Sequence, residues 1–319
     1  VSDPRRLYST IEPKSGVRGP SPAGRMHALE QLALAPVGLA AGILCGAPGI
    51  RLRLRLARLA LRGLAGGTLA GRTAYELLVR PLDSVRHFEL EFCRDLIRER
   101  DFSSYLDVSS PRLLPLTLLT EMPKVQALLC NPDRGDLDRT RTLARELGIG
   151  SRVEFAALRI EELALRQPGF ELLTCVSVIE HIPGGGDAEA FRQLWDMVQP
   201  GGRLVITVPC AAEHFEEYLN LDEYGLAKPE PNGFFFGQRF YSRTLLAQRL
   251  FAVAGQPAAF AVFGERTPGI FFADRARRLR DGYYPHWREP IMMRRGYRTF
   301  AAIDDLPGIG VAAMVFEKR

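Results

Sequence analysis

Residues 170–210, FELLTCVSVIEHIPGGGDAEAFRQLWDMVQPGGRLVITVPC, restrict the fold more than any other stretch of the chain. Residues 170–178 form an apolar run too short and too continuous for an amphipathic helix. That is the pattern of a strand buried on both faces of a parallel sheet. Ile179-Glu180-His181-Ile182-Pro183 and three glycines interrupt it. A helix follows, with Asp187 expected as its cap and Ala190, Leu194, Met197 and Val198 as its apolar stripe. Gln199-Pro200-Gly201-Gly202 stops that helix, because proline cannot continue it and glycine accepts the left-handed cap. Residues 203–208 read as a second buried strand. Strand, helix and strand make a crossover, the repeating unit of an open α/β sheet.

The chain has 319 residues, room for one large α/β domain and an appendage. Its net charge of +5 is concentrated: residues 1–80 hold twelve Arg or Lys against four Asp or Glu. A local excess of this kind is not a nucleic-acid signal, and no nucleic-acid partner is expected. The five cysteines are odd in number and contain no CxxC pair, which fits a reducing cytoplasm and supports neither zinc nor a disulfide framework. Nothing in the sequence indicates an oligomeric state.

Residues 179–183 together with Asp196-Met197-Val198-Gln199-Pro200-Gly201-Gly202-Arg203-Leu204-Val205-Ile206-Thr207-Val208-Pro209 resemble the fourth strand, helix and fifth strand of the class I S-adenosylmethionine-dependent methyltransferases. The likeness is to the small-molecule branch that includes the quinone-biosynthesis O- and C-methyltransferases. It covers residues 83–318. It implies an α/β, doubly wound, Rossmann-like sheet of about seven strands whose last strand is reversed. It also implies S-adenosylmethionine as cofactor and methyl transfer to an O, N or C nucleophile of a small-molecule acceptor. The alternatives are a protein of this fold that binds or scaffolds without methyl transfer, and one that keeps the cofactor structurally for a non-methylating reaction.

The resemblance assigns the cofactor site residue by residue. Leu106-Asp107-Val108 matches the start of the glycine-rich cofactor loop, but Ser109-Ser110-Pro111 stands where the glycines belong. Glycine there allows positive φ and close backbone approach. Asn131, followed by Pro132, takes the place of the acid that receives the ribose hydroxyls; Asp133 is its possible substitute. On that reading Asn131→Asp should tighten cofactor binding by roughly 1 kcal/mol. Arg159 replaces an adenine-contacting Asp, with Ile160 as a wall for the ring. Ser177 and Val178 would face the cofactor, and Arg86 and His87 are candidates at its methionine end. Some relatives hold a metal with two Glu and a His; here Glu180 and His181 remain but Ser177 stands for the first Glu, so no metal is expected. His181 is either a general base or a structural histidine bonded to backbone. His214 is the second catalytic candidate, with Tyr218, Tyr241 and Trp287 on the acceptor side.

Residues 1–25 read as a flexible tail, 26–82 as a basic and apolar helical extension, and 83–319 as the methyltransferase-like domain. From Gln31 to Ile50 there is no charged residue, nearly the length of a membrane span, but Pro36, Pro48 and four glycines suggest a buried or interfacial helical hairpin. Residues 51–62, RLRLRLARLALR, alternate like a strand at first. As a helix they place Arg51, Arg55, Arg58 and Arg62 on one face, away from Leu52, Leu56 and Leu59. Such a unit either contacts a membrane peripherally through residues 31–62 or packs its leucines on the domain.

Overall fold

The expected crossover is present in the computed structural model, which describes residues 5–11, 22–163, 169–222, 228–280 and 284–319. In chain order the strands are β1 (Arg6–Ser9), β2 (Ser104–Val108), β3 (Gln126–Cys130), β4 (Val153–Ala156), β5 (Phe170–Val176), β6 (Val198–Ala211), β7 (Phe215–Leu219), β8 (Phe235–Phe240), β9 (Ala259–Glu265), β10 (Tyr297–Phe300) and β11 (Ile309–Glu317). The main sheet has eight strands in the order β10-β9-β11-β6-β5-β2-β3-β4. Strands β4, β3, β2, β5 and β6 are parallel, and β11 inserts antiparallel between β6 and β9. The order reverses direction at β2, so β2 and β5 flank the switch point where ligands bind in open α/β sheets. The eighth strand, β10, pairs antiparallel with β9 at the edge and lies outside the expected set.

Alternation along the central strands explains their continuous apolar character. Leu106, Leu173 and Ile206 face one core with Phe191 and Leu194 of the crossover helix (Gly186–Met197). Tyr105, Leu172 and Val205 face the other, covered by helices α1 (Pro22–Cys45) through α6 only in part: α2 (Ile50–Ala65), α3 (Gly71–Val79), α4 (Arg86–Ile97), α5 (Leu113–Glu121) and α6 (Arg134–Glu146) contribute to it. Leu52 and Leu56 of α2 join that second core at 1% exposure each. Burying each contributes roughly 1.5–3 kcal/mol, so the N-terminal extension is fastened to the domain by its leucine face. Its arginines are used locally: Arg51 Nη2 donates to Asp95 at 2.5 Å and Arg55 Nη1 to Glu121 at 2.6 Å.

Three expectations are corrected. No hairpin forms between Gln31 and Ile50; α1 runs straight through Pro36, which sits on the exposed side where water can take the freed carbonyl. Asp187 is not a cap: Gly185 holds that position, and the Asp187 carboxylate is buried against Tyr241, Arg239 and Arg249. Residues 6–9, placed in the flexible tail, form β1, because the exposed edge of β7 offers parallel ladder partners and Arg6 meets Glu230 at 3.0 Å. At its other end the expected tail overlaps α1, which begins at Pro22; residues 1–4 and 12–21 lie outside the described residues.

Candidate active site

A cavity of ≈ 1480 Å³ opens over the carboxyl ends of β2, β3 and β5. Its floor is built from the loops that leave those strands, and its far wall is the small sheet β1-β7-β8. Ser109, Ser110, Pro111, Asn131, Pro132, Arg159, Ile160, Ser177, Val178 and His181 all line it, brought together from four separate segments.

The loop after β2 keeps a glycine-like path without glycine. Ser109 has φ 53°, and its N–H donates to the Cys130 carbonyl at 2.8 Å. Ser177, in the equivalent position after β5, has φ 52°, and Ser84, just ahead of α4, has φ 47°. Among the described residues these three serines are the non-glycine positions with positive φ. Two line the cavity, and the third lies between its lining residues Asp83 and Arg86. Left-handed non-glycine residues cost on the order of 1–3 kcal/mol and cluster at functional sites. The positive φ that the family pattern secures with glycine is therefore retained here by serine.

Asp107 lies beneath the loop instead of in the cavity. One oxygen accepts from the Ser110 N–H at 3.2 Å; the other accepts from Thr174 Oγ1 at 2.5 Å and the Tyr105 hydroxyl at 3.3 Å. Burial pushes its carboxyl up to about 6, against the opposing pull of the Ser110 and Thr174 hydrogen bonds. Ser110 is likewise partly committed, its Oγ accepting from the Val176 N–H at 3.1 Å. Both residues shape the loop; Ser109 and Pro111 are the parts offered to a ligand.

Asn131 is engaged at both ends. Its Oδ1 accepts from the Asp133 N–H at 2.9 Å, and its Nδ2 donates to Asp136 Oδ2 at 3.2 Å. Asp133 caps α6 through Oδ1, accepting from the Gly135 and Asp136 N–H groups at 2.8 and 3.1 Å, and it also lines the cavity. Asp136, one of several acids that line the cavity, pairs with Arg112 through Oδ1 and accepts from Asn131 through Oδ2. Sequence reasoning passed over it because it stands inside the helix, one turn beyond the strand end. Arg159 is exposed, its N–H capped by Glu162 Oε2 at 2.8 Å, and Ile160 beside it is a buried wall residue.

On the β5 side, Glu89 of α4 accepts from Ser177 Oγ at 2.6 Å, Thr207 Oγ1 at 2.7 Å and Arg86 Nη1 at 2.9 Å. Glu180 is buried close to this charge, with Oε2 lacking a hydrogen-bond partner. Burial, reinforced by Glu89, raises its carboxyl to about 8, so it is a neutral acid at pH 7. His181 Nδ1 lies 2.6 Å from the Gly237 carbonyl oxygen of β8. A carbonyl only accepts, so Nδ1 carries the proton and Nε2 keeps its lone pair. Burial lowers the His181 pKa to about 4, leaving a neutral imidazole fixed in one tautomer at the cavity wall. His181 thus has the backbone bond of a structural histidine, with Nε2 on the other side of the ring 3.8 Å from Glu180 Oε1.

The remaining candidates divide. Arg86 and Tyr218 line the cavity, Tyr218 donating to Glu216 Oε2 at 2.9 Å. His87 is wholly buried near Glu289 and does not reach it. His214 falls outside the lining: β6 runs on to Ala211 and carries the chain past the cavity before β7 turns back. Tyr241 is a core residue bonded to Asp187, and Trp287 packs beside α1. Among the described residues no group of three His, Cys, Asp or Glu is placed to hold a metal ion.

A mainly parallel sheet with its switch point at β2, and the reversed β11 inserted between β6 and β9, decides the architecture. The fold is that of the class I methyltransferases. No family model matches the chain. It is 34% identical over 68 residues to the ubiquinone biosynthesis O-methyltransferase of Bordetella pertussis, covering 20% of this chain and 27% of that protein. It is 39% identical over 54 residues to the protein of the same name from Burkholderia orbicola, covering 17% and 22%. The chain therefore spans about a quarter of the length of the curated relatives it matches. A solved geranyl diphosphate methyltransferase in complex with SAM superimposes with a TM-score of 0.46 at 12% identity, covering 76% of this chain and 88% of that one.

Proposed function

We propose that the chain is an S-adenosylmethionine-dependent methyltransferase acting on a small-molecule acceptor. The observation that carries this reading is the loop after β2. Ser109 holds a left-handed backbone without glycine, at the strand end from which this fold binds its cofactor. A sequence released from cofactor binding has no reason to keep three strained serines around one cavity. The short stretches of identity to ubiquinone biosynthesis O-methyltransferases add independent support.

The residues fit the cofactor's parts. Ser109, Pro111 and Arg86 line space suited to the amino-acid end, Asp133 and Asp136 are the acids on the side suited to the ribose hydroxyls, and Ile160 offers an apolar wall to adenine. When bound, the cofactor supplies an electrophilic methyl group on its sulfonium. The protein's part is chiefly positioning the acceptor in line with that methyl. His181 Nε2, neutral and fixed by Gly237, is the group suited to receive a proton from an acceptor hydroxyl. A base whose pKa is about 4 is weak, so the geometry suits acceptors that are themselves acidic.

Calorimetric titration with S-adenosylhomocysteine tests the reading. Measurable but modest affinity is expected, since the loop geometry is retained while the ribose contact has moved. No heat and no thermal shift at millimolar ligand would defeat it. The structure also reverses the expectation for Asn131→Asp. That substitution replaces a donor with a second carboxylate 3.2 Å from Asp136 Oδ2. Repulsion between the two should weaken S-adenosylhomocysteine binding, by about 1 kcal/mol or fivefold, where the sequence alone predicted a gain. Equal or tighter binding in the same titration would restore the original assignment.

A further inference from the structure

Helix α1 is turned inside out. Its small residues face the protein: a Cβ on Gly38 would lie 2.0 Å from the Trp287 carbonyl oxygen, and one on Gly42 2.7 Å from Ile50 Cδ1. Its large residues face away, with Met26 71%, Leu29 66%, Val37 53%, Ile43 53% and Leu44 88% exposed. A helix on a soluble domain orients the opposite way, apolar stripe inward. No charge interrupts this ridge from Gln31 to Ile50; ahead of it the exposed Glu30 lies 3.8 Å from His27.

The rim of the ridge is cationic. Arg288 follows the Trp287 that packs under Gly38, and Arg294 and Arg295 belong to the helix Glu289–Gly296, which lies against α1. All three are exposed, and among the described residues none has a carboxylate partner. Arg294 Nε donates to the Cys45 carbonyl at 3.1 Å, which fixes its charge at the carboxyl end of α1. Arg58 and Arg62 of α2 are exposed in the same way, beside exposed Leu61. The other two arginines of that helix face are already neutralised by Glu91, Asp95 and Glu121.

We propose that the outward ridge of α1, with its arginine rim, rests on an anionic lipid surface. Charge decides between occupants. A symmetric second copy would set arginine rim against arginine rim, whereas phosphate headgroups complement every cation around the ridge. The small-residue face of α1 is fixed to the protein, so the helix lies in the interface plane and does not span. The inference stands on these contacts alone, whatever reaction the cavity supports.

The test is flotation of the full chain with vesicles of phosphatidylcholine alone and of phosphatidylcholine mixed with phosphatidylglycerol. Binding to the anionic vesicles and not to the neutral ones is expected, reduced at 1 M salt where the Debye length is about 3 Å. Each arginine near such a surface is worth about a fivefold change in affinity, so joint Arg294→Glu and Arg295→Glu substitution should weaken binding more than about tenfold. Joint Ile43→Glu and Leu44→Glu substitution should abolish flotation and leave thermal unfolding unchanged, because both side chains are exposed. Three results would overturn the proposal: no flotation at low salt, equal flotation with neutral vesicles, or a sedimenting dimer that the Ile43 and Leu44 changes split.

Discussion

Replacing Glu180 by Gln should make the protein more stable at pH 9 and change little at pH 4. The Glu180 carboxyl is pushed up to about 8 in the folded protein, from an ordinary 4.5. Burial is the main cause, and the neighbouring Glu89 adds to it. Folding therefore favours the protonated form. That stabilisation is complete below about pH 4.5 and is lost as pH rises through 8. At 1.36 kcal/mol per pH unit, the loss amounts to on the order of 3–5 kcal/mol. Glutamine is uncharged at every pH and of the same shape, so its stability should stay level across that window. Urea denaturation of both proteins at several pH values checks this. Parallel curves would mean that Glu180 ionises without cost and that its surroundings are wetter than its contacts indicate.

The pair also explains a division of labour at the β5 end. Glu89 has the hydrogen bonds: Arg86, Ser177 and Thr207 all point at it. Glu180 has none to its Oε2 and stays neutral. Burial and the neighbouring Glu89 together disfavour the charged form of Glu180.

The sheet was legible because its signals are local. The apolar run of β5 and the Pro-Gly-Gly turn depend on neighbours in sequence, and they placed the crossover correctly. The residues that the resemblance assigned, among them Ser109, Asn131, Ile160 and Ser177, lie together along one cavity because the ends of neighbouring parallel strands meet there. What each residue does there was not legible, since roles depend on partners distant in sequence. Asn131 is occupied by Asp136 of the following helix, and Asp107 by Thr174, 67 residues away. The N-terminal strand was hidden for the same reason. Arg6-Leu7-Tyr8-Ser9 has no strong strand pattern, and it is ordered by the edge of β7, more than two hundred residues on. Pro36 misled in the other direction, because a proline on the wet side of a long helix need not end it.

Asp187 shows how much a buried partner changes a residue's meaning, and its removal should have the second large effect. The carboxylate is fully buried and takes the Tyr241 hydroxyl at 2.6 Å, Arg239 Nη1 at 2.8 Å and Arg249 Nη1. Those two arginines in turn hold the cavity loop: Arg239 Nη2 and Arg249 Nη1 donate to the Gly184 carbonyl at 2.8 and 2.7 Å, and Arg239 Nη1 to that of Ile182 at 3.3 Å. The loop carries His181 and lines the cavity through Ile182, Pro183 and Gly184. Asp187→Ala leaves the buried Arg239 with only Glu216, at 2.8 Å, as its counter-charge. Breaking a buried pair from one side costs about 3–5 kcal/mol, because the remaining charge is left uncompensated. Asp187→Asn keeps an acceptor for Tyr241 and should cost less, about 2 kcal/mol, while still releasing the arginines. A helix cap would behave differently, since Asn caps as well as Asp and the Ala change would cost only about 1 kcal/mol. Denaturant unfolding of the two variants separates the cases. If Asn matches the wild type and Ala loses about 1 kcal/mol, the buried network is not what holds this loop, and the geometry at His181 must be fixed from the β8 side alone.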